Sequence, residues 1–207
     1  MRKMMVVNWK RIGAWCGILA GIQFVIITFI LMVFYPEGYS FMEIPFSALG
    51  LLVTRGYPTP MNWFMFATAT TLAGALSMPF WLTIRTLFTE TTPLKALTGV
   101  GTILGLVAGP LLAGVGIFAA DVFPAQHGFS TIYFFLLFSS AIIIFSIAIL
   151  LNKDYENVYA LVGIIVAIIC YTHVLIPGFG NAAMQKVAVY SLVLYSVFQG
   201  YKLLKVF

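Results

Sequence analysis

Asp121 and His127 lie six residues apart in the segment AADVFPAQHGFS, with Pro124 between them. A turn of that length can bring a carboxylate against an imidazole, and an Asp that orients a His is the usual general-base arrangement. Both are also metal-ligand types. The same pair reads as a binding pair, or simply as the polar ends of two adjoining helices. His173 is the only other histidine and sits in an otherwise apolar run. An ionisable group in such a run is a functional residue by default, although near a membrane interface the ring can also rest in headgroup water. With His127 and Asp121 it would make three zinc ligands. No HxxxH or HExxH spacing accompanies them, and neither a metal nor a cofactor is expected. Ser47, His127 and Asp121 supply the residue types of a hydrolase triad, without the GxSxG elbow that would give the drawing weight.

The remaining polar residues are few. Glu43 shares a long segment with Ser47, and Ser47-Ala48-Leu49-Gly50 suits a short helix. Asn62 opens an apolar run, where an amide can cap a helix or bond a neighbouring loop. Gln185 and Lys186 open the last run. Arg55 and Lys186 can hold a lipid phosphate, or pair with Glu37, Glu43 or Asp121.

What must position these residues follows from composition. Of 207 residues, 62% are hydrophobic and 8% charged, and the mean hydropathy is +1.04. Soluble domains carry about 25% charged residues, so a water-soluble surface is excluded. The net charge of +5 comes from Lys and Arg at the ends of apolar runs, not from a stripe that would suit nucleic acid. Cys16 and Cys170 lie in different runs with no CxxC neighbour, which argues against a disulfide framework. A membrane span takes about 20 apolar residues. Six fit: 13–34, 61–88, 94–119, 129–151, 158–176 and 182–204. The first is too long for a signal-peptide core and reads as a retained span. The segment 35–60 is a long first loop whose apolar middle, FMEIPFSALGLLV, can lie in the interface or re-enter partway if helices cover it. Pro79 and Pro110 predict kinks.

Orientation comes from the Lys/Arg bias. Nine basic residues (Arg2, Lys3, Lys10, Arg11, Arg85, Lys95, Lys153, Lys202 and Lys205) fall on one side, against Arg55 and Lys186 on the other. Both termini are therefore expected in the cytoplasm, with the long first loop outside. Gly101, Gly105 and Gly109 recur every fourth residue in the third span. They share one helix face, and such a row lets a neighbouring backbone approach closely. No repeat relates spans one to three to spans four to six, which counts against an inverted-repeat transporter.

These residues resemble a known family, the six-span membrane proteins called domain of unknown function 998, distantly allied to the Frag/DRAM/Sfk group. Its members show an Ile/Phe-Ser-Asp-Leu-Gly stretch after the first span, an Asn opening the second, and a Gly-rich third span. That span ends in Gly-Ile/Val-Phe-Pro-x-Asp, and a His follows shortly. The matching residues here are Phe46-Ser47-Ala48-Leu49-Gly50, Asn62, Gly114-Val115-Gly116-Ile117-Phe118, Asp121 and His127. Ala183-Met184-Gln185-Lys186 looks like the family's Glu/Gln-Arg pair at the start of the last span. Ala48 stands where the family has Asp, and Ala119 where it has Pro, so a reaction needing the first carboxylate has no support here. The resemblance covers most of the chain. It implies a six-helix membrane fold with an outer polar cluster, and no established activity.

The expectation is a single all-α domain, a polytopic bundle of six transmembrane helices in the cell membrane. Its outer loops bring Ser47, Asn62, Asp121, His127 and Lys186 together, with Glu43, Arg55, His173 and Gln185 nearby. The favoured function is non-enzymatic: an outward-facing polar pocket that binds a lipid headgroup or small amphiphile, or docks a membrane partner. A lipid-directed hydrolase or transferase using His127 as base and Asp121 as orienter comes second, and a small-solute transporter third. The expected partners are membrane lipids, a membrane protein or a second copy of the chain, and no nucleic acid.

Overall fold

The structure, a computed structural model, describes residues 8–207; Arg2 and Lys3 lie outside the described residues. Six helices account for most of the chain: α1 (Trp9–Val33), α2 (Pro60–Arg85), α3 (Thr92–Ile117), α4 (Pro124–Leu151), α5 (Asn157–Leu175) and α6 (Ala182–Val206). Each is long and apolar enough to cross a membrane. The chain is a multi-pass membrane protein.

Short-range chemistry sets the helix starts. The side chains of Asn8, Thr91 and Asn181 accept backbone N–H groups at the starts of α1, α3 and α6, which supplies donors that would otherwise lack partners. Pro60 and Pro124 occupy the first position of α2 and α4, where their fixed φ suits a helix and no N–H is needed. α4 therefore begins five residues before the expected span, and His127 lies on its first turn instead of in a loop. Pro79 and Pro110 both lie inside continuous helices.

Each helix packs against its neighbours in the chain, and α6 returns to pack against α1, so the six close a ring. The start of α1 meets the end of α6: the Asn8 amide donates to the Phe207 carbonyl, and Lys10 lies over the Phe207 ring. We call this end the terminal face. The opposite end, with the first loop, is the loop face. Exposed apolar rows such as Leu161, Ile165 and Ile168 run along the outside of the ring, as befits helices hydrophobic on all sides.

The terminal half of the ring is filled with aromatic side chains. Trp81, fully buried, stacks on Phe145 with centroids 5.4 Å apart and meets Phe80 and Phe138 edge-on, each at 5.1 Å. Phe88 and Tyr155 extend the layer. Below it, Tyr155 donates to Gln199, and Lys202 pairs with Glu156. The hydrogen bond from Lys202 holds the Glu156 carboxyl below its usual range.

The α3 glycines set how close the helices come. A Cβ on Gly105 would lie 2.6 Å from three atoms of the Trp81 ring, and one on Gly101 would lie 2.9 Å from Ile144 of α4. A Cβ on Gly109 would lie 2.8 Å from the Gly74 carbonyl oxygen. At that crossing α2 and α3 touch backbone to backbone, as small residues in membrane helices permit.

Candidate functional site

The first loop folds back over the ring. Residues Phe46–Gly50 form a 3-10 turn, in which Phe46, Leu49 and Gly50 are buried. Irregular backbone can sit among membrane helices when protein surrounds it, and here α1, α2, α3 and α6 do so. A two-residue hairpin follows, β1 (Val53–Thr54) with β2 (Tyr57–Pro58). Its turn residues, Arg55 at φ 51° and Gly56 at φ 83°, match the type I′ turn that suits strand twist.

Three side chains from two places, the start of α6 and the α3–α4 connection, latch this loop. The Gln185 Oε1 accepts the Phe46 N–H at 2.8 Å. The Ile44 carbonyl accepts both the Lys186 ammonium and, at 2.7 Å, the Tyr39 hydroxyl. Both carboxylate oxygens of Asp121 take part in the third latch. Oδ2 accepts both the Leu52 N–H at 3.0 Å and the Val53 N–H at 2.9 Å, and Oδ1 accepts a longer contact from Leu52 at 3.3 Å. Lys186 is only 2% exposed and lies between the rings of Tyr39, Phe41 and Phe46 at 5.1–5.5 Å. Among the described residues it has no carboxylate partner; two backbone carbonyls and three aromatic faces stand in for one. Burial, reinforced by Tyr190 and Tyr35, pushes the Tyr39 hydroxyl well above the ordinary phenol range, so it remains a donor.

Most of the polar residues singled out from the sequence are thus bonded to backbone groups and not to one another. Among the described residues no hydrogen bond joins Asp121 to His127. His127 Nδ1 meets the Phe118 carbonyl at 3.0 Å, which requires a proton on Nδ1 because a carbonyl only accepts. Trp63 donates to Ile117 next door, so these two side chains satisfy carbonyls left open at the end of α3. His173 makes the equivalent contact to Phe179 at 3.2 Å and packs edge-on against Phe135. Arg55 pairs with Glu37 at 3.2 Å inside the loop, and Glu43 is exposed. The Asn62 side chain makes no hydrogen bond among the described residues and does not cap α2. No three His, Cys, Asp or Glu side chains gather in a metal-binding group among them either, so the three-ligand arrangement of Asp121, His127 and His173 is not formed.

Beneath the latched loop the ring is hollow. A cavity, with about 90 Å³ free to the centre of a water molecule, is lined by α1, α2, α3, α4, α6 and the loop residues Phe46 and Ser47. Its walls are mainly aromatic and aliphatic, and among the described residues no charged side chain lines it. Gln185 and Ser47 stand at the loop end; Ser77 and Ser196 stand deepest, Ser77 one helical turn from Trp81, and Phe138 joins the cavity wall to the Trp81 layer. Sequence reasoning marked Ser47 and Gln185 but missed the rest, because Thr70, Ser77 and Ser196 show no spacing that separates a cavity wall from helix packing.

No family model, no curated protein and no solved structure matches this chain.

Proposed function

We propose that the protein binds an amphiphile in the hollow half of its helix ring, beneath the first loop, and that the loop face lies outside the cytoplasm. The observation that carries this is a cavity with an apolar wall, a latched lid at one end and an aromatic floor at the other. Ligand sites are concave and mostly apolar, with a few placed polar groups. The domain 998 resemblance belongs to the same proposal. Asp121, Gln185 and Lys186, which carry part of it, hold the lid. The hydrolase reading lacks a supporting contact, since a backbone carbonyl takes the His127 nitrogen that an orienting Asp would need. Transport needs a path past the Trp81 layer, and no observation favours one.

Protein purified in mild detergent is expected to retain about one amphiphile per chain by mass spectrometry. A cavity-filling Ala73→Phe should retain much less. Wild-type protein that carries no amphiphile, and whose melting temperature is unmoved by added lipid extract, would contradict the reading. The orientation is tested separately. Cysteines introduced near Lys95 and Lys153 should resist an impermeant reagent in intact cells, while one near Gln126 should label. The opposite pattern would place the lid in the cytoplasm.

A further inference from the structure

The cavity lining selects among amphiphiles, an inference that rests on the reading above. We propose that the occupant is an uncharged, single-chain amphiphile: one hydrocarbon tail ending in a neutral oxygen function such as a hydroxyl or an ester. Its oxygen accepts hydrogen bonds from Gln185 and Ser47.

Charge decides the first part. The two cations of the loop face are already engaged, Arg55 with Glu37 and Lys186 with the Ile44 carbonyl and its aromatic cage. Asp121 holds two backbone N–H groups of the loop. A phosphate or carboxylate head drawn into this wall would lose its water and gain no partner, which is costly. A quaternary amine would find neither a carboxylate nor an open cage.

Hydrogen-bonding capacity decides the second part. The Phe46 N–H fixes the Gln185 amide so that Oε1 faces the loop backbone. Its Nε2 then remains a donor, and among the described residues it has no partner. The Ser47 hydroxyl, on the same rim, has none either. Thr70, Ser77 and Thr131 donate to carbonyls of their own helices, so they offer the tail little but apolar surface. The loop end of the cavity therefore presents two unengaged donors, the Gln185 Nε2 and the Ser47 hydroxyl, which suits an acceptor head.

Depth and girth decide the third. Gln185 and Ser196 are eleven residues apart on α6, as are Phe66 and Ser77 on α2. At about 1.5 Å per residue the cavity is about 16 Å deep, close to half of the roughly 30 Å hydrocarbon core. Its free volume suits one slender chain along that depth, not two.

The test uses the full-length protein in phosphatidylcholine nanodiscs with four probes that share a twelve-carbon tail: monododecanoylglycerol, dodecanol, dodecyl phosphate and dodecyltrimethylammonium. Bound fractions are read by native mass spectrometry at matched mole fractions. The two neutral probes should bind at least tenfold better than either charged one, and comparison between them separates an ester head from a hydroxyl. Gln185→Glu keeps an oxygen for the Phe46 N–H and removes the Nε2 donor. It should weaken the neutral probes several-fold while hydrogen exchange at Phe46 stays slow. Ser196→Leu should shorten the tail that fits, so decyl analogues gain on dodecyl ones. Equal or better binding of a charged probe would overturn this inference and leave the binding site standing. So would neutral binding that Gln185→Glu leaves untouched. Failure of all four probes to bind, together with an Ala73→Phe variant that retains as much amphiphile as the wild type, would overturn the site itself.

Discussion

Gly105→Leu is expected to melt several degrees below Val107→Leu in the same detergent. Both substitutions lie on α3, two residues apart, and both put a leucine side chain on the same helix. Val107 is 47% exposed on the outside of the ring, so leucine there displaces only lipid or detergent. At 105 the first added carbon already meets the Trp81 ring at 2.6 Å. That ring is held by Phe80, Phe138 and Phe145 and has nowhere to move. Overpacking of this kind costs about 1–3 kcal/mol, and in a chain of this size each kcal/mol is worth roughly 2–4 °C. Four residues on, the Gly109–Gly74 crossing offers no side chain that could rotate away. A bulky residue there should be worse tolerated still. Equal melting temperatures for the 105 and 107 variants would show that α2 and α3 do not pack along this row.

The helices were legible because membrane insertion demands long apolar runs, and almost every charge falls between them. Their ends were less so. Phe129 looked like the first apolar position of the fourth span, but Pro124 starts the helix, and that signal was present in the sequence. The hairpin at 53–58 was missed for a physical reason. Its turn places Arg55 in the left-handed region, where Asn or Asp before Gly is the recognisable pattern, and its strands are only two residues long.

The candidate site was legible in its residue types and not in its contacts. Asp121, His127, Gln185 and Lys186 all stood out as polar groups on one side, and a side-chain inventory naturally pairs them with one another. Their partners are instead backbone groups: the N–H of Phe46, Leu52 and Val53, and the carbonyls of Ile44 and Phe118. A loop with little regular structure leaves such groups unpaired, and burying it requires that each find a partner. The same polar residues that suggested a ligand pocket are thereby drawn into closing one, and the cavity beneath is built from residues that look like ordinary helix packing.

Lys186→Met tests whether the lid depends on its buried cation. Methionine is unbranched and apolar and can fill the space between Tyr39, Phe41 and Phe46, so packing is largely kept while the charge and donor are lost. A caged cation contributes about 2 kcal/mol when desolvated, and a hydrogen bond from a charged group about 1.5–3 kcal/mol. The Ile44 carbonyl keeps the Tyr39 hydroxyl, which limits the loss to the lysine's own share. A net change of about 2–3 kcal/mol corresponds to a 30- to 150-fold larger open population at roughly 1.4 kcal/mol per tenfold. Amide hydrogen exchange reads this directly. The Phe46 amide, held by the adjacent Gln185, should exchange tens to hundreds of times faster in the variant. The Leu52 and Val53 amides, held by Asp121 on the far side of the 3-10 turn, should accelerate less. Asp121→Ala should produce the reverse pattern, fast at 52–53 and slower to respond at 46. Unchanged exchange at Phe46 in Lys186→Met would mean that aromatic packing alone holds the lid and that the buried ammonium has some other purpose. Equal acceleration at both segments in both variants would mean that the loop opens as a single unit, with the latches acting on one shared equilibrium.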